Sequence, residues 1–166
     1  PVWLHVCTGY QFSCGVSSIG GLECWGRDYD ASGTVYYGQA PPPSLPVGEV
    51  WVDVACGAHH ACGQSSSGVW TCWGRDDYDQ SVVPSVSGGG VFRRVALGRQ
   101  HTCGVSDSGG MQCWGDSGHG KTPPPSLDPG VTWTAVALGA YHTLGIDSRG
   151  DLHAFGQNLF NQTSDQ

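Results

Sequence analysis

The apolar positions of this chain recur in four blocks that share one pattern. Each block opens with an aromatic residue, Trp3, Trp51, Phe92 or Trp133. An inward apolar residue follows at Val6, Val54, Val95 or Val136, and then a glycine at Gly9, Gly57, Gly98 or Gly139. A fixed aromatic, an alternating pattern and a glycine stop predict a short half-buried strand entering a tight turn. A second strand begins at Phe12, His60, His101 or His142. A third ends in Cys24-Trp25-Gly26, Cys72-Trp73-Gly74, Cys113-Trp114-Gly115 or Ala154-Phe155-Gly156. The blocks align without a gap, with starts offset by 48, 41 and 41 residues. A fixed period of this length marks a repeat architecture. The chain reads as one all-β repeat domain over 1–166, with repeats at approximately 1–46, 47–87, 88–128 and 129–166.

Between the second and third strands each block has a polar stretch containing glycine. A three-residue hairpin loop fits all four: Ser18-Ile19-Gly20, Ser66-Ser67-Gly68, Asp107-Ser108-Gly109 and Ser148-Arg149-Gly150. Glycine then occupies the left-handed third position, where a side chain would be penalised. Counting outward from a hydrogen-bonded closing pair such as Ser106 and Gly110 places Cys103 opposite Cys113 at a non-hydrogen-bonded site. Opposed side chains are closest at such sites and can accept disulfide geometry. The same register pairs Cys14 with Cys24 and Cys62 with Cys72. In the fourth block both positions are apolar, Leu144 and Ala154. Cys7 and Cys56 lie one repeat apart and one position out of register. They either link the first two repeats to each other, the favoured reading, or each bonds another chain. Zinc is the poorer explanation, because nine residues between cysteines is not the knuckle spacing of metal sites. Stapled hairpins point to an oxidising compartment, hence a secreted or extracellular protein.

After each Trp-Gly or Phe-Gly the chain runs through Pro-, Ser- and Gly-rich connections. Proline cannot donate to a central ladder, so these are links or edge strands. Three strands per repeat are visible, and a fourth is left open. Ala40-Pro41-Pro42-Pro43-Ser44 and Thr122-Pro123-Pro124-Pro125-Ser126 are polyproline-type stretches in matching connections. They read either as stiff exposed linkers or as hydroxylation and glycosylation sites of the kind found in plant and algal wall glycoproteins.

Gly-x-x-His-[Thr/Ala]-[Cys/Leu]-Gly, a glycine turn and then Cys-Trp-Gly together resemble the chromosome-condensation-regulator repeat. Phe155-Gly156-Gln157-Asn158-Leu159-Phe160-Asn161-Gln162 is similar to that family's W-G-x-N-x-x-G-Q, with Asn161 in place of Gly, and Gly74, Asp76 and Gln80 keep a weaker form of it. The paired cysteines are more similar to secreted members, including Crinkly-type receptor-kinase ectodomains, than to the nuclear exchange factor. The resemblance implies a β-propeller, seven-bladed in most members, with each repeat supplying about one four-stranded blade. Four repeats fall short of seven. The array is therefore expected to be a small closed ring, part of a larger propeller, or an open array whose edges pair with another copy.

Composition narrows the function. The chain carries 14 acidic residues against 7 Lys and Arg, net charge −7. The cations are scattered singly, which argues against a nucleic-acid partner or an anionic membrane surface. No apolar run approaches the roughly 20 residues of a spanning helix, so no membrane insertion is expected. An opening at Pro1 reads as processing, or as part of a longer sequence.

Candidate catalytic signatures are weak. Gly115 to Thr122 spells G-x-x-x-x-G-K-T, but Pro123-Pro124-Pro125 follows where a phosphate loop must open a helix. Gly-Asp-Ser-Gly in the same segment lacks a supporting triad. His60, His101 and His142 stand one per repeat, which separates them by a blade each. A structural role, each ring bonded to its own turn, is expected instead of metal ligation. Asn161-Gln162-Thr163 is an N-glycosylation acceptor. The expectation is thus a non-enzymatic extracellular module for protein interaction or assembly, without cofactors, whose partner is a protein or copies of itself. The alternatives are a structural subunit of an extracellular filament or wall layer, and a receptor ectodomain or inhibitor recognising one protein.

Overall fold

The structure, a computed structural model, describes residues 2–29 and 32–164. The extreme ends of the first and last predicted repeats, and two residues of the first connection, lie outside the described residues. The described residues form twelve strands in four antiparallel sheets of three. Blade 1 comprises β1 (Trp3–Thr8), β2 (Phe12–Ser17) and β3 (Leu22–Gly26). Blade 2 holds β4 (Trp51–Cys56), β5 (His60–Ser65) and β6 (Trp70–Gly74), and blade 3 holds β7 (Phe92–Leu97), β8 (His101–Ser106) and β9 (Met111–Gly115). Blade 4 comprises β10 (Trp133–Leu138), β11 (His142–Asp147) and β12 (Leu152–Gly156). No helix among the described residues is long and apolar enough to cross a membrane.

The hairpin loops have the expected length. Ser17, Ser65, Ser106 and Asp147 donate their backbone N–H groups to the carbonyls of Gly21, Val69, Gly110 and Asp151 at 2.8–3.0 Å. The third loop residue, Gly20, Gly68, Gly109 or Gly150, has φ between 77 and 92°. Three pairs outward, Cys14/Cys24, Cys62/Cys72 and Cys103/Cys113 are directly opposed and bonded, with Cα atoms 4.0–4.1 Å apart.

One feature of the first strand departs from simple alternation. Trp51 and Val54, in the register of Trp3 and Val6, are three residues apart, yet both face the same way and are buried together. A β-bulge resolves this: the pairing of β1 with β2 shifts register between Trp3 and His5, and the equivalent shift occurs in all four blades. An extra residue on one strand of a pair re-aims the side chains beyond it.

The core lies between blades. Phe12, Cys14 and Val16 on one face of blade 1 pack against Trp51, Val54, Ala61 and Trp73 on the facing side of blade 2. Cys62 and Trp70 meet Phe92, Val95 and Leu97 at the second seam. Val105 and Met111 meet Trp133 at the third. No packed seam joins blade 4 back to blade 1 among the described residues. The fourth strand per blade, implied by the family resemblance, is absent from the described residues. The connections form an isolated Tyr29–Tyr36 bridge, one short 3₁₀ turn at Gly118–Gly120, and otherwise irregular chain. Besides its prolines, each connection is drawn inward to seal a seam: Leu45, Val86 and Leu127, 41 residues apart, pack on the three clusters.

Candidate functional site

Each seam is pinned by a polar contact at the start of the second strand. His60 Nε2 donates to Thr102 Oγ1 of the next blade at 2.8 Å, and Thr102 Oγ1 donates to the Gln80 carbonyl at 2.9 Å. A hydroxyl has one proton. With that proton on Gln80, the imidazole must carry its own on Nε2. Trp114 Nε1 donates to the same carbonyl at 3.1 Å. The third seam repeats the motif: His101 Nε2 to Thr143 Oγ1 at 3.1 Å, and Thr143 Oγ1 to the Lys121 carbonyl at 3.1 Å. At the first seam the pair is Phe12 and Ala61, with Trp73 Nε1 still donating to the Gln39 carbonyl at 3.0 Å.

The histidines therefore do not bond their own turns, as the sequence suggested. The turn only offers a flat surface: a Cβ at Gly57 would sit 2.6 Å from His60 Cε1. Burial, with the neighbouring His101 and His59, lowers the His60 imidazole to about 3. Burial and the Lys121 ammonium lower His101 to about 4, against an opposing pull from Asp116. Both are neutral in the folded protein at ordinary pH. They lie in successive seams, each ring donating to a threonine, which is not an arrangement that converges on a metal ion.

The carbonyls that complete the motif come from Gln39, Gln80 and Lys121, all fully buried and spaced at 41 residues. The W-G-x-N-x-x-G-Q likeness picks out Gln80 but does not carry the position to Gln39 and Lys121, although the 41-residue spacing is there to be found. Lys121 Nζ donates to Asp116 Oδ2 at 2.7 Å and lies 5.9 Å from the Tyr141 ring. That hydrogen bond, helped by the Gly118 backbone N–H, holds the Asp116 carboxyl below its usual range although burial opposes it. The lysine of the G-x-x-x-x-G-K-T match is thus consumed inside the fold.

The two ends of the array expose what the seams bury. On blade 1, Trp3, Val6 and Trp25 are 39, 71 and 52 % exposed, whereas Trp51, Val54 and Trp73 in the same register are 7, 6 and 9 %. On the opposite face of blade 4, Ile146 and Leu152 are 40 and 52 % exposed, against 3 and 8 % for Val105 and Met111.

At one end of the blades, the turns between first and second strands from all four blades line a concavity of about 770 Å³. Tyr10, Tyr37 and His59 cluster there, with ring centroids 5.5–5.6 Å from the imidazole. Arg75 lies over Tyr37 at 5.1 Å and Arg99 over Tyr141 at 5.4 Å. This rim is aromatic and cationic on a chain that is acidic as a whole.

Cys7 and Cys56 bond to each other across the first seam, with Cα atoms 5.5 Å apart. Their sulfurs lie close to that of Cys14, all within 4.8 Å of one another. Each belongs to a disulfide, so none offers a thiolate to a metal. Asn161 is exposed at a loop apex with φ 60°. Pro41, Pro123 and Pro125 are exposed, while Pro42, Pro43 and Pro124 are half-buried.

The regulator of chromosome condensation (RCC1) repeat matches residues 92–121 and 133–162, which are blades 3 and 4 with the start of each following connection. The chain carries RCC1 repeats. Blades 1 and 2 stand in register with the matched pair. Human WBSCR16 is similar with a TM-score of 0.72 at 21 % identity, over 95 % of this chain and 48 % of that one. Prp20p from Saccharomyces cerevisiae is similar with a TM-score of 0.70 at 18 % identity, over 89 % of this chain and 42 % of that one. The ectodomain of the Physcomitrella patens receptor kinase CR4 is similar with a TM-score of 0.66 at 25 % identity, over 91 % of this chain and 38 % of that one. The chain spans about half, or less, of the length of these structures. Among curated proteins none matches the sequence significantly. The fold matches part of RCC1-type propellers, and the four disulfides and the likeness to receptor ectodomains are consistent with an extracellular location.

Proposed function

We propose that this RCC1-repeat chain is an extracellular, non-enzymatic module for protein interaction or assembly. The exposed face of blade 1 carries the reading. Two tryptophans and a valine lie open there in a register that is buried or partly buried in the other blades. Large contiguous apolar patches on a folded surface mark contact sites, and aromatic side chains supply much of the energy at such contacts. Support for the absence of catalysis is that the buried titratable groups are spent on structure. His60 and His101 lock seams, Lys121 and Asp116 neutralise each other, and Asp147 accepts a hydrogen bond from His153 at 3.0 Å. The net charge of −7 supports a protein partner over nucleic acid.

Chemical cross-linking tests the reading. The wild-type chain should cross-link to protein, itself or another, in the medium into which it is secreted, and Trp25→Asp should abolish the adduct. A wild-type chain that yields no adduct there, or adducts untouched by Trp25→Asp, refutes it. A second reading, a receptor ectodomain or inhibitor, is favoured by the aromatic and cationic rim at the concavity, which suits an acidic protein segment. A filament or wall subunit is favoured by the two opposite exposed faces.

A further inference from the structure

We infer that the exposed face of blade 1 is covered by blade 4 of a second copy of this chain, joined head to tail through a seam that repeats the internal ones. The inference rests on the reading of blade 1's face as a contact surface, and it names what occupies that surface.

The seam positions co-vary along the chain. Where one blade offers Phe12, the next answers with Ala61; where it offers His60 or His101, the next answers with the hydroxyl of Thr102 or Thr143. Blade 4 ends the series with His142, and blade 1 presents Ser13 in the Thr register. A histidine without a following hydroxyl thus stands at one end, and a hydroxyl without a preceding histidine at the other. Neither choice follows from the first seam, whose pair is apolar.

The carbonyl that completes each seam is also ready. Gln39, Gln80 and Lys121 continue at 41-residue spacing to Gln162. The loop around Gln162 has the shape of the one around Gln80. Asn161 has φ 60° as Asp79 has 57°. Phe160 N–H donates to Gln162 Oε1 at 2.8 Å, as Tyr78 N–H does to Gln80 Oε1 at 2.8 Å. Thr163 N–H donates to Asn158 Oδ1 at 2.9 Å, as Ser81 N–H does to Asp76 Oδ1 at 2.8 Å. Stacking blade 1 of a second copy there would bring Trp25 Nε1 and Ser13 Oγ to the Gln162 carbonyl, the places taken by Trp114 and Thr102 at Gln80. It would also lay Trp3, Val6 and Trp25 on Leu144, Ile146 and Leu152, and set Thr8 beside Ala137, the register of the Cys56–Cys7 bridge.

Such a contact is heterologous, and head-to-tail contacts close into a ring when the rotation per subunit allows. Four blades cover 48 % of the WBSCR16 chain, and two copies supply eight blades, one more than most members of the family, so closure needs a slightly smaller rotation per blade. The expected species is a closed dimer.

Sedimentation of the intact oxidised chain is expected to give twice the 17.4 kDa of one copy. Val6→Asp and Leu152→Asp alter side chains exposed in the single copy, so circular dichroism and disulfide maps should stay as in wild type. Each should weaken dimerisation about 100-fold or more by placing a carboxylate in an apolar seam. Val47→Asp, exposed in the first connection, should leave the dimer intact. Mixing T8C chains with A137C chains should produce one intermolecular disulfide joining those two peptides. A monomer at tens of micromolar, or a dimer that survives both aspartates, overturns the inference. A monomer that still forms the Trp25-dependent adduct with another protein overturns this inference alone. A monomer without that adduct overturns the functional reading as well.

Discussion

Replacing His60 by Phe together with Thr102 by Ala would transplant the first seam's chemistry into the second, because Phe12 and Ala61 already occupy that register. The wild-type His60 is neutral and buried in the folded chain, lowered to about 3 from an ordinary value of 6.5. A histidine whose folded value is depressed contributes stability that is fully present above pH 6.5. It is lost as pH falls toward the folded value, because the unfolded chain binds the proton first. The gap of about 3.5 pH units corresponds to roughly 4–5 kcal/mol over the whole window, or ~1.4 kcal/mol per pH unit. His101, lowered to about 4, adds a similar slope down to that value. Between pH 4.5 and 6, above the carboxylate range, wild-type unfolding free energy should fall by roughly 2–3 kcal/mol per pH unit. The double variant should show about half that slope. Urea titrations at closely spaced pH values measure it directly. Thr102→Ala alone is expected to cost about 1–3 kcal/mol at pH 7.5, since it leaves the His60 Nε2 proton buried without an acceptor. Equal slopes in wild type and double variant would refute the assignment of acid sensitivity to the seam histidine.

Further consequences are testable by the same denaturation measurements. Lys121→Gln should be tolerated within about 1 kcal/mol, because Gln80 fills that register; Asp116→Ala should cost about 3–5 kcal/mol by stranding a buried ammonium, and Lys121→Gln should rescue it. Cys7→Ala with Cys56→Ala should destabilise by about 4 kcal/mol and Cys103→Ala with Cys113→Ala by about 3, in the order of loop length, 49 against 10 residues of separation. The reverse order would contradict the loop-entropy account. Gly109→Ala should cost more than about 1 kcal/mol, as φ is 83° and the new Cβ would lie 2.5 Å from Thr132 Cβ. A neutral result in thermal melts would mean the hairpin relaxes.

Local features of the fold were legible because their partners lie close in sequence. Ser106 and Gly110 close a loop four residues apart, and from that closure alone Cys103 and Cys113 fall opposite each other. The histidines were misread because the partner of His60 is 42 residues away, in the following block and one column over. Comparing equivalent positions down the repeats hides a contact that runs diagonally between them. The bulge behind Trp3 escaped for a related reason, since a spacing of three satisfies neither strand nor helix period. The sequence leaves a fourth strand per blade open, and none joins the sheets among the described residues. The chain after Cys-Trp-Gly turns inward to deliver Gln80 or Lys121, and a segment sealing a seam cannot also line an edge.

The disulfide pattern also sets an order of events during synthesis. Cys14 meets Cys24 as soon as one short hairpin emerges, and the pairs in blades 2 and 3 follow in turn, each closed by neighbours ten residues away. Cys7 alone must stay unpaired until residue 56 arrives, while lying opposite Cys14 in the sheet. Rapid closure of the first hairpin therefore protects it, removing the one nearby thiol that could capture Cys7 before the second blade is made. Trapping thiols on nascent chains should find Cys14–Cys24 complete while Cys7 is still free.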